Sequence, residues 1–356
     1  MPVMLLFIAV VFVGLAQAQA RLETAAWAVM GIGGNVHVNG EELAFTYQLG
    51  TSQFSAAVFP VSGGLDGVGR IRFRAKADHD TAIALLLSEK KPGGGDYTAW
   101  VWAPADRWQQ VELTPADFSL NDGPKDPVDS DGKLDLDQVV GVGLLDVGYF
   151  FAMAADNPNF PIAVTRSSGK HTLVVENFGL LRGESARAAD AITIDSFNRG
   201  FLQWVTLGGM SLKLSGADNP LRMAAMEASY EQSEGPYPVV VRRLANLDLA
   251  KARRLVFDVA SEREATLVVS LELKKPGSSQ GPRYNITIFA PEGRKTFHVN
   301  VRLSDFEPDP NSREAAVVKL QPSRLKSLAI TDITVASGGE GGANTIWIGN
   351  VGVAVK

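Results

Sequence analysis

Six tryptophans, four histidines and a run of aspartates are the residues best equipped to do chemistry in this chain of 356. Trp100 and Trp102 stand two apart in "YTAWVWA", whose alternation reads as a β-strand. Residues two apart on a strand share a face, so both indoles point the same way. Comparison with a second copy of the strand, found below, turns that face outward. An outward indole pair suits a sugar, because pyranose C–H faces stack on indole while nearby polar side chains bind the hydroxyls. The polar candidates are Arg72 and Arg74 in "RIRFRAKA" and Gln110 and Glu112 in "QQVEL", with Tyr97 as a flank and Tyr149 and Phe150 as a rim. The same indoles could instead pack under a loop or against another part of the chain, and both readings stay open.

The densest acidic stretch is "DGPKDPVDSDGKLDLD". Asp126, Asp129, Asp131 and Asp135, with Asp137, could offer oxygens to Ca²⁺, the one cofactor the sequence raises. The spacing is not an EF-hand, because counting from Asp129 puts Lys133 at the fifth position. A solvated turn with an aspartate capping a short helix accounts for the stretch equally. His37, His79, His171 and His298 are scattered and no HExxH spacing exists, so no zinc site is expected. The absence of cysteine removes thiolate nucleophiles and thiolate metal sites. There is no G-x-S-x-G elbow, and "GIGGN" and "GGEGG" lack the Lys-Ser/Thr of a phosphate loop. No outward carboxylate pair recurs that would nominate a glycosidase dyad, so the expectation is a protein that is not an enzyme.

The elements that must carry these residues are strands. Hydrophobic residues make up 46% and charged ones 21%, an ordinary globular balance, and the length suits two domains. A net charge of −5 argues against nucleic acid and anionic lipid as partners. The opening "MLLFIAVVFVGLAQAQA" is apolar, too short to span a bilayer comfortably, and ends in small-x-small patterns at Ala16-Gln17-Ala18 and Ala18-Gln19-Ala20. It reads as a bacterial Sec-type signal over residues 1–20, giving a periplasmic or secreted product with no membrane span after cleavage. The alternative is an uncleaved anchor, since no Lys or Arg precedes the apolar run.

"KKPG" occurs at 90–93 and again at 274–277. At that offset of 184, "RIRF" falls on "RLVF", and Ile83, Leu85 and Leu87 fall on Leu267, Val269 and Leu271. With small slips, Tyr47 meets Tyr230, Asp117-Phe118 meets Asp305-Phe306, Asp146 meets Asp332, and Asn177 meets Asn350. Anchors kept in one order mean a tandem duplication. The last offsets drop from 186 to 173, which locates an extra loop of the first copy in 154–170. The units are residues 21–182 and 192–356, joined by a polar linker at 183–191. Many short strands divided by Gly, Pro, Asn and Asp clusters, about 160 residues to a copy, imply an all-β protein of two jelly rolls. Paired positions separate the faces: Ala99 and Val101 match Ile286 and Ile288 as core, whereas Trp100 and Trp102 match Thr287 and Phe289 as outward.

Three stretches, "LDGVGRIRFRAKAD", "RWQQVELTPADF" and "TLVVENFGLL", resemble the galactose-binding-like jelly rolls of the family-eleven carbohydrate-binding modules and of the complex I intermediate-associated protein family. The resemblance rests mainly on core positions, and it implies that Trp108, just before "QQVEL", is a core aromatic. It implies the fold, and either a polysaccharide or glycan as partner or, in the second family, an assembly or scaffold role toward an envelope protein through the same face.

Overall fold

A computed structural model of the chain describes residues 19–21, 27–50, 54–121, 126–129, 131–150, 167–183, 192–235, 237–244, 246–275, 278, 280–312 and 314–355. The expected leader up to residue 18, the linker from 184 to 191, the extra loop up to residue 166 and the second Pro-Gly turn at 276–277 lie outside these residues. Gln19 and Ala20, counted above with the leader, belong to the first strand of the first copy.

The described strands form four antiparallel sheets. Sheet I runs β3 (Asn35–Asn39), β4 (Glu42–Leu49), β12 (Gly169–Arg182), β6 (Val68–Ala77) and β9 (Gln109–Leu113), with β1 (Gln19–Arg21) also on β12. Sheet II runs β10 (Ser119–Leu120), β8 (Asp96–Ala103), β7 (Thr81–Glu89), β11 (Val139–Asp146), β5 (Ser55–Pro60) and β2 (Ala28–Gly31). The second copy repeats this order twelve strands later. Sheet III runs β15 (Ser211–Ser215), β16 (Ala225–Gln232), β24 (Gly342–Ala354), β18 (Arg254–Ser261) and β21 (Phe297–Arg302), with β13 (Ile192–Asp195) on β24. Sheet IV runs β22 (Glu307–Pro308), β20 (Arg283–Ala290), β19 (Ala265–Leu273), β23 (Leu325–Asp332), β17 (Val239–Arg243) and β14 (Trp204–Gly208). Identical order in both halves is the duplication, seen now as topology: two tandem jelly rolls.

Period-two alternation builds each core. In "RIRFRAKA", Ile71, Phe73, Ala75 and Ala77 point inward between sheets I and II, while the residues between them face out. Phe45, Leu85, Leu87, Leu144 and Leu173 complete that layer, and each such burial contributes roughly 1.5–3 kcal/mol. Two anchors of the repeat prove to be partners. Tyr47 Oη donates to Asp146 Oδ2 at 2.6 Å, and Tyr230 Oη donates to Asp332 Oδ2 at 2.6 Å. Burial, then the adjacent carboxylate, pushes both phenols far up, so they remain donors. The paired Asn177 and Asn350 share a left-handed backbone, with φ of 53° and 50°, where the register of β12 and of β24 shifts.

The copies meet through the outward face of sheet II. The turn before β14 lies along β8: Leu202 bridges Val101, Trp102 N donates to Phe201 O at 3.3 Å, and Gln203 N donates to Trp100 O at 2.6 Å. The Gln203 side chain accepts from Trp100 N at 3.3 Å and donates to Asp117 O. Arg199 pairs with the Asp117 carboxylate, and Asn246 donates to Ala116 O at 2.8 Å. As a result Ala82, Ala84, Trp102 and Leu145 of the first copy belong to one apolar cluster with Phe201, Trp204 and Val240 of the second.

Candidate functional site

Sheet I and sheet II present opposite outer faces of one sandwich, and the candidate residues divide between them. Arg72 and Arg74 on β6, Gln110 and Glu112 on β9 and Asn177 on β12 line a shallow hollow of about 300 Å³ on sheet I. Register assembles it. Arg72 lies opposite Glu112 and Arg74 opposite Gln110, while Arg74 faces Glu176 across β12. The left-handed turn of Asn177 brings its side chain to the same hollow, a residue the sequence reading paired with Asn350 without assigning it to a site.

The polar side chains hold one another. Arg72 donates to Glu112 Oε2 through Nε at 3.0 Å and Nη2 at 2.6 Å, Arg70 lies 3.5 Å from Glu112, and Arg74 Nη1 donates to Glu176 Oε2 at 3.1 Å. The Arg72 bonds hold the Glu112 carboxyl below the usual carboxylate range, against the smaller pull of burial. Such exposed pairs add little stability, but two-point arginine–carboxylate contacts fix donor directions. Trp108 is not in the core. It is half-buried on this face, with Arg74 Cζ 4.6 Å and Lys76 Nζ 5.2 Å from its ring centroid. It stands just ahead of β9, outside the alternation, so only the resemblance had put it in the core.

Trp100 and Trp102 are placed differently from the sugar-stacking expectation. Trp102 is 4% exposed and packed in the cluster shared with the second copy, and half-buried Trp100 lies under Arg243, whose Cζ is 4.3 Å from its ring. Alternation had correctly turned both away from their own core, but the second copy covers the face. Tyr97 is also buried, inside the sandwich, with Oη donating to Asp129 Oδ2. Tyr149 packs against the first core and meets Phe54 and Phe150 edge-on, at 5.5 and 5.4 Å. None of these four lines the hollow on sheet I.

The acidic loop is largely occupied with its own backbone. Asp129 Oδ1 accepts from Asp131 N at 3.1 Å and Gly132 N at 3.2 Å, and Asp131 Oδ1 accepts from Lys133 N at 2.9 Å. Asp135 precedes a short 3₁₀ turn without a side-chain cap bond. Asp126, Asp129, Asp131 and Asp135 do not form a convergent ligand set. Among the described residues the one trio with metal-binding atoms within 4.8 Å of one another is Asp78, His79 and His171. Two of the histidines that look scattered in sequence therefore meet in space, with ring centroids 3.9 Å apart. No described helix is long and apolar enough to cross a membrane.

Fold and faces together define a class: an all-β protein of two tandem jelly rolls with an open polar sheet face on the first. No family model matches the chain, and no curated protein matches it. Among solved structures it is similar to a family 11 carbohydrate-binding module of a cellulosomal cellulase of Clostridium thermocellum, at 18% identity, 47% of this chain, 95% of that one and a TM-score of 0.38. A family 11 module from Clostridium thermocellum in complex with a β-1,3-1,4-mixed-linked tetrasaccharide gives 17%, 48%, 99% and 0.36. A tandem of two family 22 modules from Paenibacillus barcinonensis gives 12% identity, covering 93% of each chain, at a TM-score of 0.31.

Proposed function

We propose that the chain is an exported, non-catalytic carbohydrate-binding protein that takes a polysaccharide across sheet I of its first copy. The observation that carries this reading is the hollow bounded by Arg72, Arg74, Gln110, Glu112 and Asn177. These side chains offer both donors and acceptors to vicinal hydroxyls, and the arginines are held in place by Glu112 and Glu176 before any ligand arrives. A shallow, open hollow on a sheet suits the side of an extended chain rather than an enclosed small molecule. Trp108 at its border supplies an aromatic edge. The envelope-scaffold alternative was tied to the Trp100–Trp102 face, and the second copy already fills that face.

Affinity electrophoresis in gels containing mixed-linkage β-glucan, xylan or agarose tests the proposal. Retardation on at least one glycan is expected, and Arg72→Ala with Gln110→Ala should abolish it while the fold is retained. Free migration on every glycan, or retardation indifferent to the double substitution, contradicts the reading. For export, the expected result is recovery of the chain outside the cytoplasm with its first eighteen to twenty residues removed.

A further inference from the structure

We propose that the first copy carries a site for one divalent transition-metal ion, built from Asp78 Oδ1, His79 Nδ1 and His171 Nδ1. Asp78 and His79 follow β6, and His171 sits in β12, so paired strands hold the ligands. His79 Nδ1 is 2.8 Å and His171 Nδ1 is 3.0 Å from the same Asp78 oxygen. Ligand atoms around a tetrahedral ion with bonds near 2.0–2.1 Å stand about 3.3 Å apart, so each histidine nitrogen need draw back from that oxygen by only a few tenths of an ångström.

The outer contacts settle which atoms face the centre. His171 Nε2 lies 3.1 Å from Ser168 O. A carbonyl only accepts, so Nε2 carries the proton, and the neutral ring keeps its lone pair on Nδ1. That lone pair meets Asp78 Oδ1, itself an acceptor. His79 Nδ1 faces the same Asp78 oxygen, while its buried Nε2 stands 3.0 Å from Asp146 Oδ2 without hydrogen-bonding geometry. One divalent ion would bind the three inward atoms together and leave His171 Nε2–H its carbonyl acceptor. Histidine ligands backed by a carboxylate or a backbone carbonyl are the usual second layer of a metal site.

The remaining acceptors are already occupied. Asp146 receives Tyr47 Oη, Thr81 Oγ1 and Gly148 N, and Asp78 Oδ2 receives Thr172 N at 2.8 Å, which leaves Oδ1 for the ion. Two carboxylates and two neutral imidazoles balance a charge of +2. Two nitrogens and one oxygen favour Zn²⁺, Co²⁺, Ni²⁺ or Cu²⁺ over Ca²⁺ or Mg²⁺. The Asp78 side chain is 39% exposed, so solvent has access to a fourth position.

The second copy shows what the same place looks like without such a set. Asp78 N donates to Thr172 O, and Glu262 N donates to Thr345 O; Tyr47 lies opposite His171, and Tyr230 lies opposite Asn344. Glu262, Arg263 and Asn344 thus replace Asp78, His79 and His171. Arg263 brings a fixed cation, which donates to Gly341 O at 2.9 Å.

Chelator-treated full-length protein titrated with Zn²⁺ by calorimetry, and with Co²⁺ by visible absorption, tests the site. One ion per chain is expected, insensitive to millimolar Ca²⁺, with affinity at least tenfold lower in Asp78→Asn and in His171→Gln. On unaltered, ¹⁵N-labelled protein, Zn²⁺ should move the imidazole Nδ1 signals of two of the four histidines and leave the other two unmoved. No Zn²⁺ uptake, or uptake that moves neither His79 nor His171, overturns the proposal.

Discussion

The strands β8 and β20 occupy the same place in the two copies, and their outward faces have opposite fates. Trp102 on β8 is 4% exposed, whereas its counterpart Phe289 on β20 is 62% exposed. The sheets behind them are alike in order and pairing. What differs is that the turn at Phe201–Trp204 covers β8. Duplicated architecture therefore does not imply duplicated surface. The bulky aromatics of the first copy are there to be covered, and the Thr287 and Asn285 of the second suit a more open face.

That contrast can be broken most severely at Trp102. Trp102→Ala should cost about 3–5 kcal/mol in urea unfolding, because it empties the cluster joining the copies. The same substitution at Phe289 should stay within about 0.5 kcal/mol, as surface changes do. Equal losses at the two positions would undo the comparison. Tyr47→Phe and Tyr230→Phe should each cost about 1.5–3 kcal/mol, since each removes a donor from a buried aspartate. Here the copies should agree, and a one-sided loss would show that the shared pair is not equivalent. Arg243→Ala should weaken the contact by about 1–2 kcal/mol through loss of its stacking on Trp100 and its bond to Thr98 Oγ1 at 3.1 Å.

The smallest effect concerns acid. Arg72 lowers the folded-state pKa of Glu112 below its ordinary value, so the stability this pair contributes is present above the ordinary value and is lost as pH falls through the lowered one. Glycan binding through sheet I should accordingly be level from pH 8 to pH 5 and decline only in more acid solution. A decline centred near neutrality, measured by electrophoresis in buffered gels, would point to a different titrating group.

Much of this was legible in the sequence because core positions are constrained twice. Ile83, Leu85 and Leu87 could be matched with Leu267, Val269 and Leu271 since each set fills an equivalent layer. Tyr47 with Tyr230 and Asp146 with Asp332 were anchors because within each copy the tyrosine and the aspartate are hydrogen-bond partners. Arg72, Arg74, Gln110 and Glu112 were found because strand period puts them on one side, and the structure brings all four to one hollow. Alternation could not say whether an outward face meets water or another domain, which is why sugar contact and packing against another part of the chain both stayed open for Trp100 and Trp102. Trp108 stands ahead of its strand, where periodicity is silent and the resemblance alone placed it in the core. His79 and His171 converge only through the pairing of β6 with β12, a relation that spacing along the chain does not carry.

The contact between the copies joins unlike surfaces: a sheet face of the first receives the entry turn of the second. A contact of this head-to-tail kind can in principle be repeated without end, as in fibres and long arrays. Here the two faces that could receive such a turn differ. A third unit offering the same turn to β20 would meet Thr287 and Phe289 where β8 offers two indoles, and Ile286 and Ile288 already belong to the second core. The outward face of β20 thus lacks the indole pair that the entry turn meets on β8, so one fold repeated in one chain presents two different docking surfaces.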